Sequence, residues 1–139
     1  MILKRVLIDT TVWIDFFHDR ATPQTSCLED HLIKDDIMLC ICPIILQEVL
    51  QGIREDHQYG QVLDSLLGFE MLTVDPVEIA IKAAGIYRSL RKKGITIRKS
   101  NDCTIACYAM RHDAELLHND RDFSVMAAHL PLREIEFEG

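Results

Sequence analysis

Two short runs of apolar residues constrain the fold more than any other feature of this sequence. Val6-Leu7-Ile8 is rich in β-branched residues and ends directly in a carboxylate, and residues 37–42 are continuously apolar. Strands that lack a polar–apolar alternation are typical of parallel sheets covered on both faces. Both runs are therefore predicted to be inner strands of a parallel sheet.

Segments with helical spacing separate these runs from further predicted strands. Strands are predicted at residues 69–74 and 115–118, and a last one at 132–137, where polar and apolar residues alternate. The predicted helices begin at or near Thr10, Thr22, Pro43, Val62, Asp75, Ser100 and Arg121. This order predicts one α/β domain over residues 1–139, a three-layer α/β/α sandwich around a mostly parallel sheet.

The helical spacing also predicts which side chains are buried. Leu28, Leu32 and Ile33 are placed on the inner face of the second helix, and Val77 on that of the longest helix. Trp13 follows the first strand closely and is predicted to pack in the core rather than to stack on a base.

Composition excludes several classes of protein. With 139 residues, 48% hydrophobic and 27% charged, the chain is an ordinary globular sequence and not a disordered one. Its net charge of −7 argues against non-specific coating of DNA, but leaves room for a local basic groove. No apolar stretch approaches the ~20 residues of a membrane span, and Asp9 interrupts the N-terminus too early for a signal peptide. A cytoplasmic protein is expected.

The chain has five cysteines, namely Cys27, Cys40, Cys42, Cys103 and Cys107. An odd number in a domain of this size favours reduced, buried thiols. A zinc site built from the two closely spaced pairs is the alternative, although neither spacing is that of a zinc knuckle.

Four acidic residues fall where the strands of such a sheet end. Asp9 ends the first strand, Asp120 follows the strand at 115–118, Asp102 lies in a first helical turn, and Glu48 lies in the helix after the second strand. Sites in open parallel sheets gather at the carboxyl ends of strands. A group of bare carboxylates there is best explained by a hard divalent cation, Mg²⁺ or Mn²⁺. Helix capping is the alternative for Asp102 and Asp120.

The segments around these four residues resemble the motifs of PIN-domain ribonucleases, specifically the VapC-type toxins of toxin–antitoxin pairs. The four motifs occur in order along the whole chain: Asp9-Thr10-Thr11-Val12-Trp13-Ile14-Asp15, Gln47-Glu48-Val49-Leu50-Gln51-Gly52, Asn101-Asp102-Cys103-Thr104-Ile105-Ala106 and Asn119-Asp120-Arg121-Asp122-Phe123. Each motif is weak alone, but the ordered set is specific. His118 stands where the family more often has Thr or Ser.

The resemblance implies both a reaction and partners. Asp9, Glu48, Asp102 and Asp120 would be the catalytic residues and the ligands of Mg²⁺ or Mn²⁺, and metal-activated water would hydrolyse RNA phosphodiesters. Asp122 competes with Asp120 for the fourth position. A cognate antitoxin and a homodimer are also implied. The alternatives are a PIN-like module that binds RNA or protein without catalysis, and an aspartyl phosphotransferase, which the Thr at position 11 disfavours.

One stretch of the chain is strongly basic. Residues 88–99 contain no acidic residue and six basic ones: Arg88, Arg91, Lys92, Lys93, Arg98 and Lys99. This segregation predicts a ridge that binds RNA phosphates. A solvated helix C-terminus, favoured by the helix dipole, is the other interpretation.

Overall fold

A computed structural model describes residues 3–135 and residue 137. Within these residues the strands are β1 (Arg5–Ile8), β2 (Met38–Ile41), β3 (Glu70–Met71) and β4 (Glu115–Leu117). The helices are α1 (Thr10–Phe17), α2 (Pro23–Lys34), α3 (Pro43–Gln51), α4 (Asp56–Leu67), α5 (Pro76–Lys92), α6 (Asn101–Arg111) and α7 (Arg121–Ala127). No helix in the described part of the chain is long and apolar enough to cross a membrane.

The strands form one sheet in the order β3-β2-β1-β4, and all three strand pairs are parallel. The chain moves from β1 to β2 to β3 and then returns past β1 to β4. Crossovers between parallel strands are right-handed, so reversing the direction of travel places the connecting helices on opposite faces. The result is the predicted three-layer α/β/α sandwich.

The reversal of strand order lies between β1 and β4, and it opens a crevice at their carboxyl ends. The backbone N–H of Asp9, just after β1, donates to the carbonyl oxygen of Leu117 at the end of β4 (2.9 Å). In open α/β sheets, such a point of reversal is where ligands bind. The fold therefore brings the residues that follow β1 and β4 to one crevice.

The core beside β1 is aromatic. Trp13 is 1% exposed, and its ring lies 5.2 Å from that of Phe69, 5.8 Å from that of Phe17 and 6.0 Å from that of Phe16, between ring centroids. These contacts confirm that Trp13 is a core residue.

All five cysteines are free, as predicted, and four of them are buried. Burial raises the pKa of Cys42 to about 12 and that of Cys40 and Cys103 to about 11. Among the described residues, the group that could hold a metal ion contains aspartates and no cysteine. The zinc alternative therefore has no support in residues 3–135 and 137.

Two predicted strands are shorter in the structure. The prediction at 69–74 is reduced to β3, because β2 ends at Ile41 and Pro43 then begins α3. The prediction at 132–137 is reduced to one parallel bridge between Leu116 and Glu134, with residue 136 outside the described residues. The backbone groups of successive strand residues point to opposite sides of the strand. In β4 the N–H and C=O of Leu116 point away from β1, and they therefore pair with this segment.

Three predictions of burial were wrong. Ile33 is 82% exposed, Leu32 is also exposed, and Val77 is 67% exposed. Each helical residue turns by about 100°, so Ile33 lies well away from buried Leu28, and Val77 away from buried Ile79. Thr10 lies inside α1 rather than before it, because Asp9 is the N-cap.

Candidate metal centre

Asp9 lies at the carboxyl end of β1 and is 2% exposed. Its Oδ2 accepts hydrogen bonds from the hydroxyl of Thr11 (2.6 Å) and the backbone N–H of Thr11 (3.2 Å). Burial raises the pKa of Asp9 above its ordinary value, and the Thr11 hydrogen bonds oppose that shift. Thr11 thus fixes the orientation of the Asp9 carboxylate.

Glu48 reaches the same region from α3. Its Oε1 accepts a hydrogen bond from the hydroxyl of Thr10 (3.0 Å), the residue after Asp9. This bond joins the second motif to the first across 38 residues. Nothing in the sequence indicates this bond, because Thr10 is indistinguishable there from a helix cap.

Asp102 lies in the first turn of α6 and is 3% exposed. Its Oδ2 is buried and has no hydrogen-bond partner among the described residues. Burial raises the pKa of Asp102 to about 7, with further contributions from the negative charges of Asp9, Asp120 and Glu48, while Lys99 opposes them. The negative charges of the other three predicted carboxylates thus disfavour ionisation of Asp102.

Asp120 is the N-cap of α7, and its carboxylate is nearly buried. Its Oδ1 accepts from the backbone N–H of Asp122 (2.9 Å). Burial alone would raise the pKa of Asp120, but this hydrogen bond and the cations Lys99 and Arg98 lower it below its ordinary value. Asp120 is thus a carboxylate held in its charged form.

Oxygen atoms of Asp102, Asp120 and Asp122 lie within 4.8 Å of one another. Carboxylate oxygens are the ligands that Mg²⁺ and Mn²⁺ prefer, and the buried Asp102 Oδ2, which has no hydrogen-bond partner in the described part of the chain, can serve as one. The donor set therefore fits a hard divalent ion. Asp122 is engaged elsewhere, because its Oδ2 accepts from the backbone N–H (3.1 Å) and Nε (3.3 Å) of Arg98.

The structure divides the basic stretch into two parts. Arg98 and Lys99 both form ion pairs with Asp120. Arg98 Nη2 lies 3.3 Å from Asp120 Oδ1, and Lys99 Nζ lies 3.4 Å from Asp120 Oδ2. The other four basic residues lie at the exposed end of α5 and just after it: Arg88, Arg91, Lys92 and Lys93. Two of the six basic side chains thus contact Asp120, and the sequence did not predict these contacts.

The raised pKa of Asp102 has a consequence for stability without metal. A carboxyl whose pKa rises on folding stabilises the protein below its unfolded pKa of about 4, and this contribution is lost as pH rises through about 7. In chelator, wild type should therefore lose stability relative to Asp102→Asn between about pH 4 and pH 7, by about 1.4 kcal/mol per unit of pKa shift. Thermal melts of both proteins across this range measure it. A difference that does not change with pH would contradict the assignment.

Sequence comparison agrees with the motifs. The profile of the PIN domain matches residues 6–129. Ribonuclease VapC11 of Mycobacterium tuberculosis is 36% identical over 134 residues, which cover 95% of this chain and 98% of that protein. Ribonuclease VapC1 of Methanocaldococcus jannaschii is 34% identical over 108 residues, covering 77% of this chain and 69% of that protein.

Solved structures show the same fold. VapBC2 from Rickettsia felis, bound to a DNA fragment from its promoter, superimposes with a TM-score of 0.72 at 19% identity and covers 94% of this chain and 97% of that chain. VapBC-1 from nontypeable Haemophilus influenzae gives a TM-score of 0.72 at 18% identity, covering 95% and 97%. With its four motifs in order, its PIN-domain profile and its identity to VapC ribonucleases over most of its length, the chain belongs to the PIN-domain family, among the VapC ribonucleases.

Proposed function

We propose that this protein is a metal-dependent endoribonuclease and the toxin of a toxin–antitoxin pair, acting in the cytoplasm. The observation that carries the proposal is a group of carboxylate oxygens from Asp102, Asp120 and Asp122 within 4.8 Å of one another, beside a buried Asp102 Oδ2 that has no hydrogen-bond partner among the described residues. Helix capping alone does not account for Asp102 Oδ2, because the side-chain oxygen of an N-cap accepts a hydrogen bond from the helix that it begins.

Asp9, Asp102 and Asp120 are proposed to hold Mg²⁺ or Mn²⁺, with Glu48 completing the site directly or through water. When bound, such an ion lowers the pKa of water and neutralises charge that develops on a phosphate. The chain's own threonines support the ligands: Thr11 orients Asp9, and Thr10 holds Glu48. We assign the fourth position to Asp120 rather than Asp122, because Asp122 accepts from the backbone N–H of Arg98 as well as from its side chain. The cations on Asp120 are exposed side chains, which can move aside for a metal ion.

Arg98 and Lys99 are proposed to attract the RNA backbone to this acidic pocket. Both side chains are more than half exposed while they touch Asp120, so they can contact a phosphate without leaving the site. Their charges also reduce the repulsion that four carboxylates would exert on a polyanion. Binding of RNA by the other four basic residues stays a prediction.

The partner is proposed to be a small antitoxin protein, as in the VapBC assemblies that share this fold. An acidic pocket is best blocked by an Arg or Lys side chain of the partner, because a charge-assisted hydrogen bond can replace the cation. A homodimer of this chain is part of the same proposal.

Cleavage of RNA with Mg²⁺ and with a chelator tests the function. The proposal expects internal cleavage in Mg²⁺, none in chelator, and recovery when Mg²⁺ is restored. RNA binding without cleavage in Mg²⁺ or Mn²⁺ would instead identify a non-catalytic PIN-like module. Cleavage that persists in chelator would contradict the metal requirement.

Lys99→Gln is expected to separate the two roles of that cation. Removing a positive charge 3.4 Å from Asp120 Oδ2 should tighten Mg²⁺ binding about 5-fold, corresponding to the ~1 kcal/mol of an exposed ion pair. The same variant should bind RNA more weakly and with a flatter salt dependence. Titrations of Mg²⁺ by calorimetry and of RNA at several salt concentrations measure both effects.

Lys93→Gln is the matched control, because it removes an equal charge from an exposed position of the same basic stretch. It should leave Mg²⁺ affinity within about 2-fold of wild type. Equal effects of the two variants would mean that Lys99 acts through net charge and not through its contact with Asp120.

A further inference from the structure

A chain of hydrogen bonds links residues 132–135, the C-terminal segment, to the turn that carries Asp120. His118 follows β4 directly, and its ring is buried. Its Nδ1 accepts from the backbone N–H of Asp120 (3.1 Å), and its Nε2 lies 2.7 Å from Oε2 of Glu134. The buried imidazole thus stands between a proposed metal ligand and a residue 16 positions further along the chain.

The partners of the ring decide where its hydrogen is. Because Nδ1 accepts a hydrogen bond from an N–H group, that nitrogen carries no hydrogen. The hydrogen is therefore on Nε2, and Nε2–H donates to Glu134. The His118 ring thus accepts at Nδ1 and donates from Nε2, and its two hydrogen-bond partners set this tautomer.

Glu134 is itself held in place from two sides. The backbone beside it pairs with β4, because the N–H of Leu116 donates to the carbonyl of Arg133 (2.9 Å) and the N–H of Ile135 donates to the carbonyl of Leu116 (3.0 Å). Its Oε2 also accepts from the hydroxyl of Ser124 in α7 (2.9 Å). One carboxylate therefore ties together β4 and α7, the two elements that flank Asp120.

The ring of His118 has a fixed place as well. It packs against the ring of fully buried Phe123, with 5.1 Å between centroids and an interplanar angle of 50°. An imidazole held by a packed ring and by hydrogen bonds at both nitrogens transmits the position of Glu134 to the backbone of Asp120.

Asp120 needs this support because it is an N-cap in extended backbone conformation. The N–H of such a residue lies outside the helix ladder and must find another partner. The position of the Asp120 N–H sets the orientation of this residue in the turn, and therefore the direction of its carboxylate, which lies near that of Asp102.

We propose that Glu134 is a positioning residue of the metal centre, which acts through the buried His118 to fix the turn that carries Asp120. The inference rests on the proposed function, since it concerns Asp120 as a metal ligand. It adds the C-terminal segment, which carries none of the four motifs, to the parts of the chain on which metal affinity depends.

Two substitutions of Glu134 in the full-length protein test the proposal, with Mn²⁺ as the probe and free Mn²⁺ followed by electron paramagnetic resonance. Glu134→Ala removes the acceptor of Nε2–H and should weaken Mn²⁺ binding about 10-fold, in the range known for partners of metal ligands. Glu134→Gln keeps a side-chain oxygen that can accept from both His118 and Ser124, and should bind Mn²⁺ as wild type does.

Arg133→Ala is the matched control on the same segment. Arg133 pairs with Asp113 (2.7 Å) and approaches Glu115 (3.8 Å), and its loss loosens the segment without removing a bond to His118. Its Mn²⁺ affinity should equal that of wild type, while melts in chelator record the stability of every variant.

The outcomes separate the positioning role from the proposed function. Mn²⁺ affinity equal to wild type in Glu134→Ala would overturn the positioning role. An equal loss of Mn²⁺ affinity in Arg133→Ala would overturn it as well, because looser docking of the whole segment would then explain both losses. Weak Mn²⁺ binding in Glu134→Gln would overturn the view that a hydrogen bond from His118 to an uncharged oxygen is enough. It would show that the negative charge of Glu134 is required. If wild type itself binds no Mn²⁺, the metal centre fails, and this inference fails with it.

Discussion

Asp102→Asn is expected to abolish RNA cleavage while leaving the protein without metal at least as stable as wild type. A neutral amide is a poor ligand for a hard cation, and loss of even an outer-shell partner of a metal ligand costs roughly 10–100-fold. We therefore expect a rate more than about 100-fold below wild type. The substitution also removes one of four mutually repelling charges, so melts in chelator should show equal stability near pH 4 and greater stability at neutral pH, by at least ~1 kcal/mol.

The opposite pattern would identify Asp102 as a simple helix cap: lower stability in chelator, with cleavage and the Mg²⁺ response retained. Asp75→Asn is a suitable control, because Asp75 caps α5 by accepting from the N–H of Glu78 (2.9 Å) and is not one of the four carboxylates. Since Asn also caps helices well, this variant should keep both its stability and its activity.

Trp13→Ala is expected to have the largest effect on stability. The Trp13 ring packs against three phenylalanine rings beside β1, and truncation of a buried aromatic residue costs about 3–5 kcal/mol. Trp13→Phe should cost much less, because it keeps an aromatic ring and removes an Nε1–H that has no hydrogen-bond partner in the described part of the chain. Urea unfolding in chelator measures both variants.

These two variants also decide between the two roles of Trp13. Because the Phe ring of Trp13→Phe could still stack on a base, Trp13→Ala is the deciding variant. If Trp13 only packs in the core, RNA affinity should be unchanged in both variants, each assayed well below its melting temperature. A stable Trp13→Ala protein that had lost RNA binding would instead make Trp13 a stacking platform.

The sequence was sufficient for those features that depend on local pattern. Unbroken apolar runs identified β1 and β2 as parallel inner strands, and the positions of Asp9, Asp102 and Asp120 relative to strand ends predicted where they lie. These inferences succeed because strand ends in a parallel sheet share one edge, whatever the details of packing.

Contacts between distant segments were beyond the sequence. Arg98 pairs with Asp122 across 24 residues and His118 with Glu134 across 16, and nothing in the spacing of these residues indicates either contact. The same is true of the helix faces, since Ile33 and Val77 are large apolar residues that helical spacing alone placed inside, and only the packing of α2 and α5 shows that they face outward.

The most direct test of the metal centre is diffraction from crystals of this protein soaked in Mn²⁺, with data collected near the manganese absorption edge. The account predicts one or two anomalous peaks in the crevice between β1 and β4, in contact with carboxylate oxygens of Asp9, Asp102 and Asp120, and no such peak in Asp102→Asn. Peaks confined to exposed carboxylates, or none at saturating Mn²⁺, would contradict it.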